Sequence, residues 1–122
     1  MSTLPELQTL LERIRAFNNA RDWEQYHTPK NLAMGLMIEA AELAEHFLWL
    51  ESKESRSLSP ERIKRVKDEI GDVLIHLLNL ADKLGINPVA AANEKLDHNA
   101  DKYPADRARG KALKYDEYET SG

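Results

Sequence analysis

Residues Asn31–Leu50 read NLAMGLMIEAAELAEHFLWL. Drawn as a helix, this stretch is apolar nearly all the way round, yet it carries Glu39 and Glu42 three residues apart. At ~100° per residue the two carboxylates share one face, one above the other, among Leu36, Ala40 and Leu43. Acids on an apolar face are costly unless something positive lies beside them. The device recurs in VKDEIGDVLIHLLNLADKL, residues 66–84, where Glu69 and Asp72 have the same spacing. Two acid pairs on two apolar helices call for a common explanation.

Working outward from that stretch, Thr28-Pro29 before it is a helix start signal. The hydroxyl caps, and the proline stands where no amide donor is needed. Upstream, Leu4, Leu7, Leu11 and Ile14 fall on a helical stripe widened by Leu10 and Phe17, which predicts a first helix from Leu4 to about Arg21. Asp22 to Lys30 (DWEQYHTPK) is a connector. The second helix is expected to run to about Leu50, and the following ESKESRSL lacks apolar periodicity and reads as an exposed loop. Ser59-Pro60-Glu61 repeats the start signal for a third helix with apolar positions Ile63, Val66, Ile70, Val73, Leu74, Leu77, Leu78 and Leu84. Gly85 fits its end, and Asn87-Pro88 opens a fourth helix that Pro104 stops.

No strand-like alternation, internal repeat or low-complexity block interrupts this pattern. The expectation is an all-α, four-helix bundle-like subunit, with a single helical domain over residues 1–104. Residues 105–122 would form a tail ordered against a neighbouring subunit. The second and third helices are apolar over more of their circumference than a monomer of this size can cover, which points to oligomerisation.

Composition bounds the function. The chain has 122 residues, 42% hydrophobic and 31% charged, with a formal net charge of −4. No basic patch laced with aromatics suggests a nucleic-acid polymer as partner. There is no cysteine, so disulfides, thiolate zinc sites and cysteine nucleophiles are excluded. The four histidines lack zincin spacing. No charged-then-apolar leader opens the chain, and acids interrupt the apolar helices, so the expectation is a cytoplasmic protein without a membrane span.

If the second and third helices pack antiparallel, Glu39, Glu42, Glu69 and Asp72 converge. At ~5 Å and an effective dielectric near 20, each like-charged pair costs about 3 kcal/mol. Such a cluster does not stay ionised unaided. Either some acids are protonated, or arginines and lysines reach in, or a divalent cation binds. An all-oxygen set suits Mg²⁺, with Mn²⁺ as substitute, and leaves coordination positions for water and phosphate. A di-iron bundle would instead want Glu-x-x-His motifs, which neither pair supplies.

A polar stripe climbs the third helix from these acids, since Glu69, His76 and Lys83 are seven apart, as are Asp72 and Asn79. His76 and Asn79 read equally as substrate contacts or as a satisfied polar pair inside the bundle. Trp49 stands seven residues beyond Glu42. On the fourth helix Lys95, Asn99 and Lys102 form a cationic and amide row suited to phosphate oxygens, or else a solvated face. Trp23 and Trp49 are otherwise core residues, and His27 a loop residue or cap.

Together these residues resemble the all-α nucleoside triphosphate pyrophosphohydrolases of the MazG type. That family's motif, E-x-x-E followed by E-x-x-D on the next helix, is here Glu39-x-x-Glu42 with Glu69-x-x-Asp72. RDWEQYHTPKNL, EIGDVLIHL, the Lys95/Asn99/Tyr103-Pro104 segment and Lys114-Tyr115 resemble its dCTP pyrophosphatase branch. The resemblance implies Mg²⁺ on the four acids and hydrolysis between the α and β phosphates of a nucleoside triphosphate. The substrate would be dCTP or a modified pyrimidine deoxynucleotide, removed from the nucleotide pool. It further implies that Trp23 and Trp49 enclose the base, with His27 and Tyr103 among the binding residues, and that Lys95 and Asn99 contact phosphates. The assembly it implies is a homotetramer built from dimers.

His76 stands where that branch has a tyrosine, and Ile14 where it has a histidine. Both positions belong to base recognition. For catalysis, Glu42 is the candidate to deprotonate the attacking water, and Lys95 with Lys102 would stabilise the departing pyrophosphate. The competing expectations are a non-catalytic helical module that binds a nucleotide or a protein, and a metal-buffering or di-iron bundle.

Overall fold

The computed structural model describes residues 5–117, all of whose regular elements are helical. The chain separates into two compact units, one reaching Asn87 and one beginning at Pro88.

In the first unit, α1 spans Pro5–Ala20, α2 Pro29–Glu45, α3 Ser52–Ser55 and α4 Pro60–Lys83, with a 3₁₀ turn over Glu24–Tyr26. Leu4, expected on the first apolar stripe, lies outside the described residues. Both start signals operate as read. The Thr28 hydroxyl accepts from the Asn31 N–H at 3.2 Å, and the Ser59 hydroxyl accepts from the Arg62 N–H at 3.2 Å. Each is followed by proline at the first helical position. At the far end of α4, Gly85 adopts φ +65°, and the N–H groups of Gly85 and Ile86 donate to Asp82 and Ala81. This is the Schellman arrangement that closes a helix. The end of α1 uses the same device with Asp22 in place of glycine, at φ +53°. The Asp22 and Trp23 N–H groups donate to Asn19 and Asn18.

Two expectations about local structure are corrected. α2 ends at Glu45, not near Leu50. The Leu43 and Ala44 carbonyls accept from the His46 and Phe47 N–H groups, and the His46 carbonyl is met from outside, by the Arg62 guanidinium of α4 at 2.6 Å. The residues after it turn away, so Trp49 is off the helix face it was assigned to and is 89% exposed. The segment read as a loop contains the one-turn helix α3. There Glu51 and Glu54 form a reciprocal capping box.

Register follows from the contacts. Gly35, Glu39 and His46 of the α2 end meet His76, Glu69/Asp72 and Arg62 of α4 in reverse order, so the two helices run antiparallel. Arg15 and Asn18 of α1 pair with Asp82 and Asn79, so α1 is antiparallel to α4 as well. The core lies between them, built from Leu11, Ile14, Leu32, Val66, Leu78 and Ala81 with the polar Asn18 and Asn79. Outside that core, Met34, Met37 and Ile38 of α2 and Ile63, Ile70, Leu74 and Leu77 of α4 remain exposed, each set on one helix face.

The second unit holds α5, Pro88–Lys102, the one-turn α6, Ala105–Ala108, and a 3₁₀ turn over Tyr115–Glu117. The last residues of the expected tail, 118–122, lie outside the described residues. Among the described residues no helix is long and apolar enough to cross a membrane.

Candidate functional site

The site is built on the facing surfaces of α2 and α4. Their antiparallel register brings one carboxylate oxygen each from Glu39, Glu69 and Asp72 within 4.8 Å of one another. Glu42 stands beside both Glu39 and Glu69, close enough to act on each through its charge and through a carboxyl–carboxyl contact. All four acids singled out by spacing therefore gather in one place.

Electrostatics show how poorly the protein alone satisfies them. Burial pushes the Glu39 carboxyl above the usual carboxylate range, and the charges of Glu42 and Asp72 push it further. Glu69 is raised for the same reasons in the same order. Oε2 of Glu39 and Oε2 of Glu69 are sealed from solvent with no hydrogen-bond donor. A carboxylate oxygen that has neither water nor a donor is a costly arrangement. The groups that partly offset this are the imidazoles of His76, beside Glu39, and His46, 3.9 Å from Glu69. The donor set consists of oxygen atoms alone, clustered at the separation ligands of one hard cation share. It fits Mg²⁺ or Mn²⁺ by its chemistry. A cavity of about 540 Å³ at the α2–α4 connection, lined by Leu50, Lys53 and Arg62 among others, contains none of these acids.

One turn beyond Asp72, the His76 ring packs against α2 at Gly35 through Cδ2 and Nε2. Its Nδ1 is 3.0 Å from the Asp72 carbonyl, which can only accept, so Nδ1 carries a proton and Nε2 of the neutral ring is left as an acceptor. Asn79, one turn further, is buried, and its amide oxygen accepts from Asn18 Nδ2 at 2.9 Å. Trp23 and His27 sit on the connector between α1 and α2. Trp23 meets Phe17 edge to face at 5.6 Å and His27 at 6.4 Å, and keeps a partly open face. Trp49 is far out in solvent. Lys95 and Lys102 are exposed and Asn99 half-buried on α5 of the second unit, where the Tyr103 N–H donates to the Asn99 carbonyl.

Several participants escape a reading of spacing alone. Gly35 is one: its missing side chain makes room for the His76 ring. Its signal was a lone glycine inside an apolar helix, which marks close approach. His46 is another, one turn beyond Glu42 and pointed at Glu69. Asn18 and Glu24 have no comparable sequence signal.

The geometry can be set beside known proteins. The family model described as the MazG-like family matches residues 35–118, a span that holds both acid pairs. The chain belongs to the MazG-like family. Within it, the chain is 37% identical over 115 residues to dCTP pyrophosphatase 1 of Homo sapiens, covering 93% of this chain and 68% of that protein. To dCTP pyrophosphatase 1 of Rattus norvegicus it is 36% identical over 113 residues, covering 91% and 66%. The chain thus spans about two thirds of the length of these curated relatives. A crystal structure of a pyrophosphatase from Archaeoglobus fulgidus superposes with a TM-score of 0.78 at 43% identity, over 85% of this chain and 97% of that one. Its relatives of both kinds place this family member among the nucleotide pyrophosphohydrolases.

Proposed function

We propose that this protein is a Mg²⁺-dependent pyrophosphohydrolase that converts dCTP or a modified pyrimidine deoxynucleoside triphosphate to the monophosphate and pyrophosphate. The observation that carries this reading is the convergence of Glu39, Glu69 and Asp72 oxygens within 4.8 Å, two of those side chains holding a sealed, unpartnered oxygen. The names of the dCTP pyrophosphatase relatives support the choice of pyrimidine.

Glu39, Glu42, Glu69 and Asp72 would hold the cation, which supplies positive charge to offset the triphosphate oxygens. Glu42 is the most exposed of the three glutamates and takes the proton from a water aligned for in-line attack on the α-phosphorus. His76, fixed by the Asp72 carbonyl, offers Nε2 as an acceptor along the same helix face, suited to an exocyclic amine. Trp23 and His27 supply aromatic surface for the base, and Trp49 is assigned there by resemblance. Lys95, Asn99 and Lys102 carry the charge and amide chemistry that pyrophosphate recognition needs, an assignment that rests on residue type and spacing. The exposed apolar faces of α2 and α4 support a homotetramer built from dimers, which light scattering reads directly.

The test of the reaction is product analysis with each common NTP and dNTP, with Mg²⁺ or with EDTA. Monophosphate plus pyrophosphate, formed only with Mg²⁺ and fastest for a pyrimidine, is the expected result. Diphosphate plus orthophosphate would overturn the bond assignment. Nucleotide bound without product would make the protein a binding module.

A further inference from the structure

The polar stripe on α4 does not stop at the acids. Asn79 lies seven residues and Lys83 eleven residues beyond Asp72, nearly the same helix face, about 10 to 16 Å further along the axis. Both are tied to the connector that bears Trp23. Asn18 Nδ2 donates to Asn79 Oδ1 at 2.9 Å, and both side chains are buried. The Asn18 carbonyl accepts the Trp23 N–H at 3.0 Å, and the Asn18 amide lies near enough to the Glu24 carboxyl to help lower its pKa, after the larger effect of Lys83. Glu24, the residue after Trp23, is ion-paired with Lys83, with both side chains partly shielded. Two points of α4 therefore hold the backbone on either side of Trp23, while Phe17 and His27 fix its ring by edge contacts.

Nothing else about the connector accounts for this investment. It has no buried apolar residue of its own, and a two-residue ion pair on a surface turn contributes little to global stability. A buried amide pair, by contrast, fixes geometry, because either amide left alone would be an unsatisfied buried polar group. The arrangement fixes one aromatic ring on the connector, at the end of α4 toward which its polar stripe runs from the acids.

We propose that Asn18–Asn79 and Glu24–Lys83 form a two-point latch between α4 and the connector that positions Trp23 against the base of the bound nucleotide. The latch residues are positioning residues and touch no substrate atom. This inference rests on the pyrophosphohydrolase reading for its substrate, but the placement of Trp23 is read independently of turnover.

Two measurements test it on the full chain. The first is steady-state hydrolysis of dCTP with Mg²⁺ by Lys83→Met, Glu24→Gln and the exchanged pair Glu24→Lys with Lys83→Glu, each with and without Trp23→Ala. Either single variant is expected to raise KM about tenfold, with kcat within about twofold. The exchanged pair should recover most of that loss. In the Trp23→Ala background, Lys83→Met should add nothing further, the non-additivity that coupling through one residue produces. An unchanged KM, or a full multiplicative loss on top of Trp23→Ala, overturns the latch. The second measurement is acrylamide quenching in a Trp49→Phe protein, in which Trp23 is the only tryptophan. Lys83→Met should make Trp23 more quenchable with helicity unchanged, and equal quenching overturns the proposal. Absence of dCTP hydrolysis by the wild type would remove the substrate reading and leave the quenching result to decide on the latch.

Discussion

Gly35 and His76 face each other across the α2–α4 interface so closely that a β-carbon on Gly35 would lie 2.9 Å from His76 Cδ2 and 3.1 Å from Nε2. The ring occupies the volume a side chain on α2 would need. Glycine inside a helix costs about 1 kcal/mol relative to alanine, so the contact is purchased with helix stability. The result is a ring held beside the acids, with Nδ1 committed to the Asp72 carbonyl and Nε2 left to accept.

Gly35→Ala should displace that ring. Stability is expected to change by less than about 1 kcal/mol, because the helix propensity gained offsets part of the crowding. The ranking of dNTP hydrolysis rates should flatten. With His76→Ala already in place, Gly35→Ala should have no further effect on that ranking. A single variant that ranks nucleotides as the wild type does would detach His76 from base selection.

Glu42→Gln and Asp72→Asn should each lower turnover by at least about a hundredfold while far-UV circular dichroism stays that of the native helices. Calorimetric titration with Mg²⁺ alone separates the two roles. Asp72→Asn is expected to weaken metal binding more than Glu42→Gln, which leaves the three-oxygen cluster intact. Wild-type-like rates in both variants would remove the acids from the reaction.

The Glu39 and Glu69 carboxyls are raised above their ordinary range, so the folded, metal-free protein holds protons there that the unfolded chain releases. Their contribution to stability is present below the ordinary carboxylate pKa and is lost as pH rises through the raised values. The melting temperature of Glu39→Gln should therefore exceed that of the wild type above this window in EDTA, with the difference shrinking as pH falls. Saturating Mg²⁺ should reverse the order at neutral pH, since the wild type alone gains its full binding energy.

Arg15 grips Asp82 with two hydrogen bonds, Nη2 to Oδ1 at 2.6 Å and Nε to Oδ2 at 3.0 Å. The guanidinium holds the Asp82 carboxyl below the ordinary range. Here the sign is opposite: the stabilisation is present above the ordinary carboxylate pKa and disappears as pH falls through the depressed one. The Arg15 side chain is 45% exposed, so solvent screens the pair and Asp82→Asn should cost about 1 kcal/mol or less. Urea denaturation at pH 7 should show that cost, and the two proteins should converge in strong acid or high salt.

The helix boundaries make a local prediction. Thr28→Ala and Ser59→Ala should each cost about 1 kcal/mol, since each removes an acceptor from an otherwise unpaired N–H. Gly85→Ala should cost about 1 to 2 kcal/mol through its left-handed backbone, although open space surrounds it. Thermal melts of the three variants, with helicity retained, check the values.

The sequence by itself determined what short-range chemistry controls. A hydroxyl followed by proline starts α2 and α4, a glycine closes α4, and a spacing of three places each acid pair on one face. These depend on helix geometry and on groups within a turn of one another, and they were legible without a partner. The end of α2 was not. HFLWL continues an apolar pattern with no breaker, and the group that meets the His46 carbonyl is Arg62, sixteen residues away. α3 had its local signal, the Glu51–Glu54 capping box, but no apolar period to draw attention to it.

Tertiary structure alone decided which partner each polar group would find. Asn79 could have met a ligand or a second amide, and the antiparallel packing of α1 supplied Asn18. The same packing set Lys83 against Glu24 and left Oε2 of Glu39 and of Glu69 with no donor. Pairing between groups distant in the chain depends on how helices are registered, and that register is fixed by the fit of many apolar side chains at once. Spacing assembled the four acids. Packing decided that Oε2 of Glu39 and of Glu69 would find no donor among the described residues.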